Sequence, residues 1–176
     1  MEIIVVSGKA RHGKDTVGDF IKQELNDRFE KRVLVMHYAD LLKFYCKEYF
    51  GWDGNKGETG RTLLQKVGTD VVRAQNPDYW VDHVGEFLSL FKDQWDYVII
   101  PDARFKNEVF GLVKYGFIVW HWRVTRPDFD NGLTDEQKSH KSETELDNMR
   151  PDFNIINDGD LSDLDAKVIK ALEEMI

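Results

Sequence analysis

The stretch SGKARHGKDT, residues 7 to 16, decides how this chain is read. From Gly8 it spells G-x-x-x-x-G-K, the opening of a loop whose backbone N–H groups cradle phosphates and whose lysine reaches the terminal phosphates of a nucleoside triphosphate. The next position ordinarily carries Ser or Thr, which puts a hydroxyl on magnesium. Here it carries Asp15, and Thr16 follows. The flanks suit the loop. EIIVV, residues 2–6, is a short β-branched run of the kind that forms a buried strand. In DTVGDFIKQEL, residues 15–25, Val17, Phe20, Ile21 and Leu25 recur at i, i+3, i+4 and i+8, one face of a helix. Strand, glycine loop and helix N-terminus together aim N–H dipoles at an anion. An ordinary strand-to-helix turn with two glycines requires neither the lysine nor this spacing.

Bulk properties narrow the classes. A chain of 176 residues suits one domain, 1–176, and 41% hydrophobic residues suffice for a core. The net charge of −8 weighs against a broad nucleic-acid grip, which needs a basic surface. An anionic ligand must therefore meet a local cluster of positive charge. One cysteine, Cys46, excludes an internal disulfide framework and a cysteine zinc site. No run of about 18 apolar residues is present, so no membrane span is expected. The N-terminus enters a strand directly without a signal-peptide pattern, and a cytoplasmic location is expected.

Strand and helix patterns alternate. Further strands are expected at 32–38, 96–104, 117–124 and 152–159, and helices at 39–51, 61–75, 78–92, 105–116 and 161–176, with a glycine-rich loop at 52–60. The alternation implies a five-stranded parallel sheet with helices on both faces. Ligands of such sheets bind beyond the carboxyl ends of the strands, so the informative windows are 7–16, 37–43, 101–108, 123–126 and 157–159.

At the third strand end, Asp102 is placed to order magnesium or its waters, or to act as base on an acceptor oxygen; the bland alternative is a helix cap. Arg104 can fork onto a phosphate. Asn107 and Glu108 read as the outward part of a helix. The polar segment 125–151, rooted at Arg126, reads as a lid that closes on a transferring phosphoryl group, against a disordered acidic loop as the alternative. Arg61 and Arg73 lie twelve residues apart, and at least one is expected to be a surface charge. The five histidines, His12, His37, His83, His121 and His140, show no ligand spacing, and His140 falls within the lid. Tyr79 and Trp80 read as packing residues or as the wall of a base pocket.

SGKARHGKDT, ADLLK, LLQKVGTDVVR…DYWV, DYVIIPDAR…NE, VTRP, HKSE and NDG stand in the order found in deoxynucleoside monophosphate kinases of phage type, and over nearly its whole length the chain resembles that family. These P-loop kinases also resemble animal phosphomevalonate kinase. The resemblance implies a P-loop NTPase fold, three αβα layers around the parallel sheet, with ATP and Mg²⁺ as donor and metal. It implies ATP on Gly8, Lys9, Arg11, His12, Gly13, Lys14, Asp15 and Thr16, with the adenine near Asn157. The acceptor monophosphate would meet Lys43, Arg61, Gln65, Asp70, Tyr79, Trp80, His140 and Glu143. Lys14, Asp102, Arg104 and Arg126 would be catalytic, and Asp102 with Asp15 or Thr16 would meet the metal, directly or through water. Aspartate after the P-loop lysine is the family's own form. The chain is shorter than the best-known phage example, which carries an insertion before the QKVGTD helix. The partners implied are small nucleotides, and the resemblance leaves room for a homodimer. Two other readings keep the loop: a P-loop kinase acting on a modified base in phage DNA or on another phosphorylated metabolite, and a nucleotide-binding switch without turnover.

Overall fold

The computed structural model describes residues 1–55 and 57–176; Lys56, within the expected loop 52–60, lies outside the described residues. In chain order the elements are β1 (Glu2–Ser7), α1 (Lys14–Asp27), β2 (Val33–Val35), α2 (Ala39–Tyr49), α3 (Glu58–Gln65), α4 (Tyr79–Leu90), β3 (Tyr97–Ala103), α5 (Lys106–Phe110), β4 (Ile118–Thr125), α6 (Asp135–Ser139), α7 (Lys141–Thr144), β5 (Phe153–Ile156) and α8 (Leu161–Met175). A π-helix, Lys66–Arg73, continues α3, and a 3₁₀ turn, Gly111–Tyr115, continues α5.

The strands form one parallel sheet in the order β2-β3-β1-β4-β5. Side chains on a strand alternate between faces, and here both faces are covered. Ile4 and Val6 of β1 pack with Val17 and Ile21 of α1 and with Leu164, Val168 and Leu172 of α8. Ile3 and Val5 pack the other way, against Val81, Val84 and Leu88 of α4 and Val109 of α5. The result is the expected three-layer αβα arrangement. Because β1 lies between β3 and β4, its loop opens at the point where the sheet's winding reverses, the crevice in which such sheets bind ligands.

Several expected boundaries shift. The second strand keeps only Val33–Val35, because His37 and Tyr38 already turn into α2. The third helix starts at Glu58 rather than 61; its glycine at 60 looked like loop, but a Cβ there would lie 2.0 Å from the Asn55 carbonyl oxygen, so the close approach selects it. The segment 125–151 is not a disordered loop. Leu133 and Leu146 are buried, and α6 begins with a capping box between Thr134 and Gln137. Among the described residues, no helix is long and apolar enough to cross a membrane.

Candidate active site

The loop between β1 and α1 is held in a shape that two glycines permit. Gly8 has φ of +143°, and a Cβ on it would stand 2.3 Å from the Val124 carbonyl oxygen of β4. Gly13 has φ of +98° and precedes the first turn of α1; a Cβ there would meet the Asn157 amide at 2.9 Å. Both positions need the left-handed region and the missing side chain. Asn157, just past β5, donates to the His12 carbonyl at 2.9 Å and so braces the loop from behind. His12 Nδ1 accepts from the Arg126 N–H at 3.1 Å. Burial, then the nearby Lys14 charge, holds the His12 imidazole below its usual pKa, which suits that acceptor role.

Lys14 is buried, and its ammonium donates to the carbonyls of Gly8 (2.9 Å) and Lys9 (2.8 Å). Burial first, and Arg104 next, push its pKa down to about 8. Other cations crowd the same space. The Arg61 guanidinium is pulled below its ordinary value by burial and by the charges of Arg11 and Arg104. Like charges gathered in this way are costly unless an anion joins them.

Asp102 sits at the end of β3, and both its oxygens accept from the start of α2: Tyr38 N–H at 2.9 Å and Ala39 N–H at 3.0 Å. The cap reading of Asp102 is therefore correct in kind, though the helix it caps is α2, not the one that follows it in sequence. Asp15, in the first turn of α1, lies 3.6 Å from His37, whose pKa is raised chiefly by that contact. His37 also approaches Asp40 (3.5 Å), which pairs with Lys43 at 2.9 Å.

Apart from Asp40, the groups around Lys14, Asp102 and His37 line one cavity of about 450 Å³. Of the residues expected in the site, Arg11, Lys14, Asp15, Lys43, Arg61, Gln65, Trp80, Asp102, Arg104 and Glu143 are on its wall. A smaller cavity of about 250 Å³ on the other side of the loop is lined by Gly8, Lys9, His12, Arg104 and Glu143 among others. Thr16, Asp70, Tyr79, Arg126, His140 and Asn157 line neither cavity. Asp70 is exposed and 3.9 Å from His140. Tyr79 shares a hydrogen bond with Tyr45 (2.9 Å). Arg126 is exposed and lies 4.0 Å over the Phe129 ring, which also meets His12 edge-on.

The wall facing the loop is built by α3 and its π-helical extension, through Arg61, Gln65, Thr69 and Arg73. A four-residue step overshoots a turn of α-helix and falls short of a turn of π-helix, so the change of helix type at Lys66 brings all four residues back toward the cavity. Trp80 closes the far end, its indole N–H on the Gly68 carbonyl at 3.1 Å.

Two expectations fail here. Neither Arg61 nor Arg73 is a detached surface charge: both line the cavity, and the Arg73 side chain is only 9% exposed. Glu108 does not face outward. It is buried, paired with Arg73, and accepts from the N–H groups of Arg104 (2.6 Å) and Phe105 (3.0 Å). The one sequence signal for it was its spacing: an acid at the third position of a helix reaches back to cap it.

Among the described residues no group of three or more His, Cys, Asp or Glu side chains converges as a metal cage. A magnesium ion needs none. It keeps several waters and is held by one or two carboxylates plus substrate phosphates, and Asp15 and Asp102 on one cavity wall supply hard oxygen donors of that kind.

Residues 52–168 match the family model described as deoxynucleotide monophosphate kinase. The chain is 34% identical over 116 residues to the deoxynucleotide monophosphate kinase of Enterobacteria phage T4, covering 64% of this chain and 45%, less than half, of that protein. It is 25% identical to phosphomevalonate kinase of Drosophila melanogaster over 98% of this chain and 95% of the relative. Among solved structures, the Mycobacterium tuberculosis APS kinase in complex with AMPPNP and APS superposes with a TM-score of 0.54 at 13% identity, covering 98% of this chain and 97% of that one, a likeness of fold.

Proposed function

The chain belongs to the deoxynucleotide monophosphate kinase family, and on that premise we propose that it transfers the terminal phosphoryl group of ATP to a deoxynucleoside monophosphate. The observation that carries this reading is the continuity of the cavity. The P-loop lysine and the α3–π wall line the same cavity, and there Arg11 and Arg104 stand close enough to Arg61 to act on its charge. A phosphoryl group in transit spreads negative charge over its outer oxygens, and catalysis is largely positioning plus charge stabilisation.

In this reading the triphosphate lies along residues 8–16. Lys14 exchanges its two loop carbonyls for phosphate oxygens, and contact with the anion restores the proton that burial loosens. Arg104, on the wall of both cavities, meets the transferring group. Arg61 holds the acceptor phosphate, and the base lies toward Leu64, Gln65 and Trp80. Asp15 and Asp102 would hold Mg²⁺, which when bound neutralises charge on the phosphates. Arg126, Phe129 and Asn157, clustered behind the loop around His12, take the adenine side.

The test is ADP release with each of the four deoxynucleoside monophosphates, the four ribonucleoside monophosphates and phosphomevalonate as acceptor. Turnover with one or more deoxynucleotides, lost in Lys14→Ala with the fold intact, is expected. Turnover with phosphomevalonate alone would transfer the reading to a metabolite kinase, which the likeness to the Drosophila enzyme supports. Wild-type turnover in Lys14→Ala would remove the P-loop assignment.

A further inference from the structure

Glu143 lies in an unusual place for an acid. Its Oε2 accepts the backbone N–H of Ala10, inside the phosphate loop, at 3.1 Å. Its Oε1 pairs with Arg104, and its carbonyl accepts from Lys9. The side chain is 5% exposed. Its charge also acts on Lys14, His12 and Arg61. These are the groups that a phosphate would use: a loop amide, the loop lysine and two wall arginines. A buried carboxylate that satisfies them is chemically a competitor for the same seat.

The segment that carries Glu143 is attached in a way that permits exchange. α7 is four residues long and is capped by His140 Nδ1, which accepts from Ser142 N–H at 3.2 Å. Leu146 anchors the segment's far end in the core and Glu145 accepts the Lys106 N–H at 3.1 Å, but around Glu143 itself the ties are long charged side chains: Arg104 on the Ser142 carbonyl, Lys9 on Asp147, and Arg123 on the carbonyls of Leu146 and Asp147.

We infer that Glu143 is an internal occupant of the phosphate seat, which a phosphoryl oxygen displaces when substrate arrives, releasing Ala10 N–H and Arg104 to the substrate. The cation cluster thereby keeps an anion at all times. The inference rests on the assignment of residues 8–16 as the triphosphate seat.

The test is calorimetric titration of the full chain with ATP, and separately with inorganic pyrophosphate, without acceptor. The proteins are wild type, Glu143→Gln, Glu143→Asp and Lys14→Ala. Displacing a carboxylate forfeits at least one charge-assisted hydrogen bond, so Glu143→Gln should bind both ligands about tenfold more tightly. Glu143→Asp keeps the charge but is one methylene too short to span Ala10 and Arg104, and should also bind more tightly. Unchanged or weaker binding in Glu143→Gln overturns the inference, as does an Asp variant that behaves like wild type, which would mean that bulk charge alone acts. A measurement on the wild type stands apart from any folding defect: ATP should speed amide exchange in 140–147, and slower exchange there overturns the displacement. If Lys14→Ala binds ATP as the wild type does, the seat itself is misassigned. If it loses ATP while Glu143→Gln is unchanged, only the role of Glu143 falls.

Discussion

The buried pair of Arg73 and Glu108 makes a quantitative prediction. Their side chains are 9% and 6% exposed. Arg73 also donates to the Pro77 carbonyl (3.0 Å) and the Asn107 side chain (3.3 Å), and lies 4.0 Å over the Phe105 ring. Burial pushes Glu108 up to about 7, while Arg73 and the N–H groups of Arg104 and Phe105 pull the other way. A carboxyl group whose folded pKa exceeds the unfolded value contributes stability in full below that unfolded value, here 4.5, and the contribution is lost as pH rises through about 7. Arg73→Met removes the counter-charge, so the folded pKa climbs further and the loss continues to higher pH. Breaking a buried pair costs about 3–5 kcal/mol when a charge is stranded. Glu108 escapes part of that cost by taking a proton in acid. Arg73→Met should therefore cost about 1–2 kcal/mol at pH 5 and about 3–5 kcal/mol at pH 8. Glu108→Gln removes the titrating group, so its cost relative to the wild type should fall by about 2–3 kcal/mol between pH 5 and pH 8. The double variant should recover about 2 kcal/mol relative to the sum of the two. Urea unfolding followed by tryptophan fluorescence at both pH values measures all of these. A pH-independent cost for Arg73→Met, or an additive double variant, would refute the reasoning.

Three further outcomes are expected. Arg104→Ala should lower kcat on the order of 10³-fold, whereas Arg126→Ala, on an exposed side chain outside both cavity walls, should cost less than about tenfold and act mainly on the KM for ATP; steady-state kinetics with the reverse ranking would make Arg126 the transition-state arginine. Asp15→Ser should retain turnover and shift the magnesium dependence, since a hydroxyl replaces a carboxylate on the cavity wall; an unchanged magnesium titration removes Asp15 from the metal's ligands. His121, 2% exposed and bonded to Ser7 at 2.7 Å, is held down to about 4, chiefly by burial. Its folded pKa lies below the unfolded 6.5, so its contribution is present above pH 6.5 and is lost as pH falls toward 4, by about 3 kcal/mol in all. Glu108 titrates in the opposite sense over the same interval, so the measurement is made in Glu108→Gln, where a urea midpoint flat across that interval would contradict this.

The phosphate half of the site was legible because its chemistry is local. Gly8, Gly13 and Lys14 owe their roles to backbone shape and to contacts within one loop, and spacing along the chain records both. The sheet was legible for a similar reason: β1 and β3 are buried on both faces, and near-continuous apolar runs state that directly. The acceptor half is assembled from residues that look ordinary where they stand. Glu108 reads as a surface acid until Arg73, 35 residues away, covers it. Asp102 reads as metal ligand or cap, and the N–H groups it holds lie 63 and 64 residues earlier in α2. Glu143 reads as one acid in an acidic stretch until it meets Ala10 across 133 residues. A charged side chain has no periodicity to announce its partner, and only the fold decides whether it faces water or an opposite charge. Divergence among kinases of this shape should therefore concentrate in the α3–π wall and the 140–147 segment. There a substitution would alter which anion is held without disturbing the 8–16 backbone proposed as the triphosphate seat.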